Sequence, residues 1–368
     1  MKRVAVGFAL LLGVAASIFA QNNDLTTLAV IKLNKAKTET ITLKQLKTRA
    51  DYTTKQYEAA YGITLTAEQK SQMRDQVLTS LIDEKLITQA AAKDGLSVTD
   101  SQVDAAFLNQ ISQQNGIQLT EAQVEQLVQQ QYKKSLGDYI RDETGMTITE
   151  YKASLKNQIL VQQYVYSKKQ NELQKIAATD EEIRNFYKIN QKNFSQNELI
   201  KLFLVLVPKT GDDVEGRAKA TDLRNKYVKD NNTKASIIAG SNSKDYVARE
   251  QIFENTSVVA QQLGWSTSDL LELFNQSEGY VSEIRETKDT FQFYAVVKKY
   301  EAKILQLSDV VRPDTTITIY DYIKNNITSQ KQMQYYQTAV QEIIKELDTQ
   351  DNVDRKKTGA DLTKLLNW

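Results

Sequence analysis

The densest groups of side chains that could do chemistry in this sequence are carboxylates, at Asp180-Glu181-Glu182 and at Asp212-Asp213. Clusters of this kind can hold a divalent cation, because calcium and magnesium prefer oxygen ligands. Each has a plainer account here. The first follows Thr179, where a helix N-terminus favours negative charge, and the second reads as a solvated loop. No metal and no other cofactor is expected. The 368 residues include no histidine and no cysteine. That removes the usual proton shuttle near neutral pH, the thiol nucleophile, the disulfide and every zinc site built on imidazole or thiolate. Ser-His-Asp and Cys-His catalysis are excluded. What remains is shape, apolar grooves, carboxylates, lysines, hydroxyls and backbone dipoles, the equipment of a binding protein or of an enzyme that makes no covalent bond. Eighteen tyrosines add amphipathic side chains suited to half-wet contact surfaces. Tyr132, Tyr139, Tyr151, Tyr164 and Tyr166 either pack at helix boundaries or touch a bound polypeptide.

Helices must position most of these groups. Two prolines and thirteen glycines in this length indicate long helices and few tight turns. Lys2 and Arg3 precede an apolar run from Val4 to Ala16 and a cleavage-like Ser17-Ile18-Phe19-Ala20, so residues 1–20 read as a signal peptide cut near Ala20. Without Lys2 and Arg3 the chain has 45 basic against 46 acidic residues, interspersed in sign. Nucleic-acid and anionic-membrane binding are not expected from that balance, and no later segment approaches the length of a membrane span. After a short strand at Leu28 to Leu33 and an apolar patch at Ile41 to Leu46, helical periodicity runs for over a hundred residues. Thr66 caps a helix bearing Val77, Leu78, Ile82, Leu86 and Ala90 at core spacing, and Thr120 and Thr147 open others, the last with Glu150 in a capping box.

From Leu199 the period changes. Ile200 to Val207 is too continuously apolar for an exposed strand and reads as a buried one ended by Pro208. A helix at Ala218 to Val228, the tripeptide Leu263-Gly264-Trp265, a short helix at Asp269 to Phe274, Gly279-Tyr280-Val281-Ser282 and a strand at Phe291 to Val297 complete an α+β unit. Helical spacing then returns at Ile319, Ile323, Ile327 and at Tyr336, Val340, Ile344.

Two sets of segments carry a resemblance. Met73 to Ile87, the capped Val98-Thr99-Asp100-Ser101-Gln102-Val103 and Thr179 to Tyr187 follow in the order seen in the N-terminal domain of SurA and PrsA type exported chaperones. The strand ending Leu204-Val205-Leu206-Val207, then Leu263-Gly264-Trp265, Phe274 with Gly279-Tyr280-Val281-Ser282, and the strand ending Val296-Val297-Lys298 are similar to a parvulin prolyl-isomerase domain. The resemblance implies an α+β fold: a mostly helical SurA-like domain at 24–194, completed by C-terminal helices at 315–347, with a parvulin-like domain inserted at 197–303 and a polar tail at 348–368. Parvulins place one histidine in the first strand and one in the last, and these positions fall on Leu204 and Ala295, with Tyr294 adjacent. The aspartate before Leu-Gly-Trp becomes Gln262. The parvulin-like domain is thus expected to be degenerate.

These readings converge on an ATP-independent periplasmic chaperone whose partners are unfolded polypeptides, envelope or outer-membrane proteins among them. The client-binding candidates are Tyr132, Tyr139, Tyr151, Tyr164, Tyr166, Trp265 and Phe274. An active prolyl isomerase is the alternative, and a structural or adhesive surface protein is a third. Isomerisation needs no nucleophile, only a site that lowers a barrier of about 20 kcal/mol by desolvating and twisting the amide. Without histidine or cysteine, client binding is expected to be nearly flat between about pH 5 and 8, apart from the α-amino group or a strongly shifted carboxylate.

Overall fold

The computed structural model describes residues 24–33, 37–115, 119–209, 213–242 and 244–368. The signal-peptide reading of residues 1–20 and Asp212 of the second carboxylate cluster lie outside them. The described chain divides into two compact units, one formed by the residues up to Ala177 together with Gln330–Trp368, the other by Ala178–Ser329.

The first unit begins with strands β1 (Thr27–Ile31) and β2 (Glu39–Thr42), which pair antiparallel with Ala29 opposite Ile41. Helices α1 (Leu43–Tyr61), α2 (Ala67–Lys93), α3 (Asp100–Asn115), α4 (Glu121–Tyr132), α5 (Leu136–Thr144) and α6 (Ile148–Lys175) follow. One local device starts most of them. A threonine hydroxyl accepts from the backbone N–H three residues on, while the Gln or Glu there accepts from the threonine N–H. The pairs are Thr42/Gln45, Thr66/Gln69, Thr99/Gln102, Thr120/Gln123 and Thr147/Glu150. Each satisfies two helix-end donors that would otherwise need water.

The second unit opens on α7 (Asp180–Asn190), where Thr179/Glu182 form the same box and Asp180, Glu181 and Glu182 occupy the first turn. The carboxylates of that cluster therefore stand at the positive end of a helix. Strands β3 (Ser195–Gln196) and β4 (Leu199–Pro208), helices α8 (Asp213–Lys229) and α9 (Lys234–Ala239), strand β5 (Val247–Glu254), helices α10 (Ser257–Leu263) and α11 (Thr267–Phe274), and strands β6 (Arg285–Glu286), β7 (Thr290–Tyr300) and β8 (Lys303–Ile304) follow. β3 pairs with β8, and the main sheet is antiparallel in the order β5-β4-β7-β6. Apart from Lys201 near its start, β4 is apolar because both faces of this sheet are covered. Leu202 and Leu204 point into a cluster with Leu263, Trp265, Leu270 and Phe274, whereas Phe203, Val205 and Val207 point into one with Ala220, Leu223 and Ile237.

The chain returns to the first unit through α12 (Ile319–Leu347), β9 (Val353–Arg355) and α13 (Gly359–Leu365). Ala339 and Ile343 of α12 are buried with Ile87, Ala90, Ala91, Tyr164 and Val165. β9 adds a third strand beside β1, with Ile31 opposite Val353. The fold is thus α+β: a mostly helical unit completed from the C-terminus, with an α+β unit inserted in it.

Two sequence expectations need correction. The boundaries at 194 and 315 fall instead after Ala177 and within α12, because Ile183 of α7 is fully buried with Leu305, Ile319 and Ile323 in the second unit. At this boundary the Ala178 N–H donates to Thr328 Oγ1 at 2.9 Å, so the two ends of that unit meet. Residues 348–368 are no polar tail. Val353 and Leu366 are buried in the core of the first unit with Leu28, Ile31, Ile41 and Leu46. Arg74 of α2 donates from its guanidinium to the Leu366 carbonyl at 2.7 Å and lies 4.1 Å from the centre of the Trp368 ring. Leu366→Ala should therefore cost roughly 2–4 kcal/mol, read as a lower urea midpoint, whereas Leu25→Ala at an exposed position should change it by less than about 0.5 kcal/mol.

Candidate functional site

Two places merit a chemical reading, one in each unit. In the second unit it is the pair of central strands. The β4–β7 register puts Leu204 opposite Tyr294 and Phe203 opposite Ala295. Directly opposed residues share a sheet face, so Leu204 and Tyr294 lie together with Trp265 and Phe274, while Ala295 points to the other face beside Phe203 and Phe293. Of the aligned positions Leu204 and Ala295 and the adjacent Tyr294, the register thus puts Tyr294 in the Leu204 environment and Ala295 on the other face.

Local structure explains how the rest of the face is assembled. Gly264 adopts φ +70, a left-handed conformation open to glycine, which ends α10 and lets the Trp265 N–H donate to the Ala260 carbonyl at 2.9 Å. Trp265 is thereby folded onto the sheet, where its indole N–H donates to Gln292 Oε1 at 2.9 Å and its ring centre lies 5.0 Å from that of Tyr294. Gln292 in turn donates to the Leu263 carbonyl at 3.1 Å. The segment at Gly279 to Ser282 runs along β7: the Tyr294 N–H donates to Ser282 Oγ at 3.0 Å, and the Ser282 N–H donates to the Tyr294 carbonyl at 2.9 Å. Arg285 lies 4.8 Å from the Trp265 ring centre and pairs with Asp269 at 2.8 Å. Hydrogen bonds from Arg285 first, and from Ser266, hold the Asp269 carboxyl down to about 2. Burial pushes the Tyr294 phenol up to about 12, against the opposing pull of Arg285, so it remains a neutral donor across the physiological range. Gln262 is exposed on α10, away from this buried set.

Chemically the face is filled. Leu204, Trp265, Phe274 and Tyr294 are all buried against one another, and leucine offers no hydrogen bond to a twisting amide.

The first unit carries an open groove of about 630 Å³ between α2, α6 and α12, within the usual range for concave ligand sites. Ile87, Val161, Tyr336, Val340 and Ile344 supply its apolar walls, and Asp75, Asp83 and Glu84 its carboxylates. The Tyr336, Val340, Ile344 stripe was legible in the sequence as a packing face. In the structure that stripe is half-buried against the same core in which Ala339 and Ile343 are fully enclosed. Glu84 accepts from Asn157 Nδ2 at 2.8 Å and faces Arg49 at 3.6 Å. Asp83 has neither a hydrogen bond nor an ion pair among the described residues. Burial first, and then the nearby Asp348, push its carboxyl up to about 6, while Arg355 acts in the opposite direction. Asp83 is thus a strongly shifted carboxylate of the kind excepted from the flat pH response.

The aromatic candidates fare unevenly. Tyr139 is buried with its ring 4.5 Å from that of Tyr132, which is half-buried. Tyr151 is buried, donates to Gln110 Oε1 at 3.0 Å and meets Phe107 edge-on at 5.9 Å. Tyr164 is buried beneath Lys168, and Trp265 and Phe274 are buried as described. These five pack the core and present no contact surface. Tyr166 is 49% exposed, with its ring 6.3 Å from that of Tyr336 on the groove wall.

Residues 3–165 match the family model of the SurA-like N-terminal domain. The chain carries a SurA-like N-terminal domain. That domain supplies β1 and β2, α1 to α5 and most of α6, hence two of the three groove-forming helices. Over most of its length the chain is also similar to Foldase protein PrsA of Clostridium acetobutylicum, 23% identical over 326 residues that cover 87% of this chain and 86% of that protein. A solved structure of the Campylobacter jejuni SurA-like chaperones PEB4 and Cj1289 matches at 14% identity over 90% of this chain and 99% of that one, with a TM-score of 0.30. PrsA from Lactococcus lactis matches at 17% identity over 93% and 99%, with a TM-score of 0.28.

Asp83 gives the SurA-like unit a defined pH response. Its folded-state pKa lies above the ordinary carboxylate value, so between about pH 4 and 6 the folded protein holds a proton that the unfolded chain releases. Stability from this group falls as pH rises through that window. Asp83→Asn should raise the urea midpoint at pH 7.5 by an amount equivalent to about 1–2 kcal/mol and leave it unchanged near pH 4. Equal shifts at both pH values would show that the carboxyl is not perturbed.

Proposed function

We propose that this protein is an ATP-independent chaperone of the cell envelope that holds unfolded clients in the groove of its SurA-like unit. The observation that carries this reading is the contrast between the two units. Apolar walls stand open between α2, α6 and α12, whereas the parvulin-like strand pair is packed solid around Leu204 and Tyr294. The SurA-like family match and the similarity to a PrsA foldase support the same reading, and the Lys2, Arg3 and Val4 to Ala16 pattern supports export with cleavage near Ala20. Among the described residues no helix is long and apolar enough to cross a membrane. Outer-membrane proteins, rich in alternating apolar and aromatic residues, are the clients this groove chemistry suits best.

An active prolyl isomerase is the second reading, favoured by the parvulin-like segments and by the neutral Tyr294 donor. A leucine at the first histidine position and the burial of Leu204, Trp265, Phe274 and Tyr294 in one cluster weigh against it.

Titrating the purified protein against an unfolded outer-membrane protein, scored by light scattering, tests the chaperone reading. Val340→Gln is expected to weaken suppression several-fold with little change in the circular dichroism melt, and Tyr294→Phe to leave it intact. A protease-coupled assay with a proline tetrapeptide should show only the spontaneous rate, with a time constant of tens to hundreds of seconds. Acceleration that disappears in Tyr294→Phe would instead make this protein an isomerase.

A further inference from the structure

We infer that the groove of the SurA-like unit selects extended client segments that carry two cationic side chains four residues apart, next to apolar residues; this rests on the chaperone reading above and adds the chemistry of what is held. The argument begins with charge. The whole chain is balanced, with 47 basic against 46 acidic residues, yet the residues lining this groove include three carboxylates and no lysine or arginine. Its surroundings do not neutralise it fully. Arg49 faces Glu84 at 3.6 Å, and Arg355 is held by both oxygens of Asp348 at 2.8 and 2.6 Å. Asp75 and Asp83 make no side-chain hydrogen bond or ion pair among the described residues.

Spacing then sets the pattern. Asp75 and Asp83 stand eight residues apart on α2, two turns along one face and about 12 Å along the axis. An extended chain advances about 3.3 Å per residue, so side chains at i and i+4 point to one side and lie about 13 Å apart. Two lysines at that interval reach both carboxylates across Gln76, Thr79 and Ser80, and client residues beyond the Asp83 end meet the apolar wall that Ile87 begins one turn further along α2, with Val340 and Ile344 of α12. A client carboxylate in the same place would meet like charge beside a desolvated aspartate.

Three fluorescein-labelled peptides of one apolar composition test this with the full-length protein, by anisotropy at low and at high salt. One carries Lys at i and i+4, one carries adjacent lysines, and one carries Glu at i and i+4. The spaced-lysine peptide should bind roughly three- to tenfold more tightly than either of the others at low salt, and the advantage should shrink at high salt. Asp75→Asn combined with Asp83→Asn should abolish the advantage while preserving binding of an uncharged peptide of the same length. Equal affinity for all three peptides, with all of them weakened by Val340→Gln, would overturn the charge preference and leave the chaperone reading standing. Peptide binding that none of these groove substitutions alters would overturn both. Circular dichroism melts of each variant establish that the fold is intact.

Discussion

The helical unit depends on a pairing between the two ends of the described chain. β1 has β2 on one side, and its other side is closed only when β9 arrives from the C-terminal segment. There the Lys32 N–H donates to the Asn352 carbonyl at 2.7 Å, the Lys356 N–H donates to the Leu28 carbonyl at 2.8 Å, and Lys32 Nζ meets Asp354 at 2.7 Å. The groove inherits that dependence. One of its walls is α12, whose position on α2 and α6 comes from the burial of Ala339 and Ile343 against Ile87, Ala91 and Val165. Tyr336, Val340 and Ile344 of the same helix pack only partly against this core and leave the rest of their apolar surface to the groove.

The inserted unit shows the opposite solution. Its sheet is covered on both faces, and every residue that resembles a parvulin position is absorbed into packing or its own hydrogen bonds. Trp265 is held by Gln292, Tyr294 by Ser282 and Arg285, and Asp269 by Arg285 and Ser266. A buried polar network satisfied in this way specifies a rigid arrangement.

Much of this was legible in the sequence because it is written locally. The threonine caps with Gln or Glu at the third helical position, the apolar run of β4 and the glycine that ends α10 each act within a few residues. What escaped depends on distant partners. Ala295 and Tyr294 are neighbours in sequence, and only strand register says which of them shares the Leu204 face, since a slip of one residue exchanges the two faces. Val353-Asp354-Arg355 is too short and too polar to announce itself as a strand. Its burial comes from β1, more than 300 residues away. The same distance hid Asp83. On α2 it continues a polar face with Asp75 and Thr79, and it becomes perturbed only because α12 and the Asp348 side chain lie beside it.

The hydrogen bond from the Ala178 N–H to Thr328 Oγ1 bears on how such a discontinuous unit can be assembled at all. Bringing together the ends of an unstructured loop of about 150 residues costs about 4 kcal/mol of chain entropy before any contact is made in return. When Ala178–Ser329 folds by itself its ends already meet, so α6 and α12 leave it as though joined by a short turn. Whenever that unit is folded, the two flanks therefore start from neighbouring points, and most of the closure cost for the helical unit is already met.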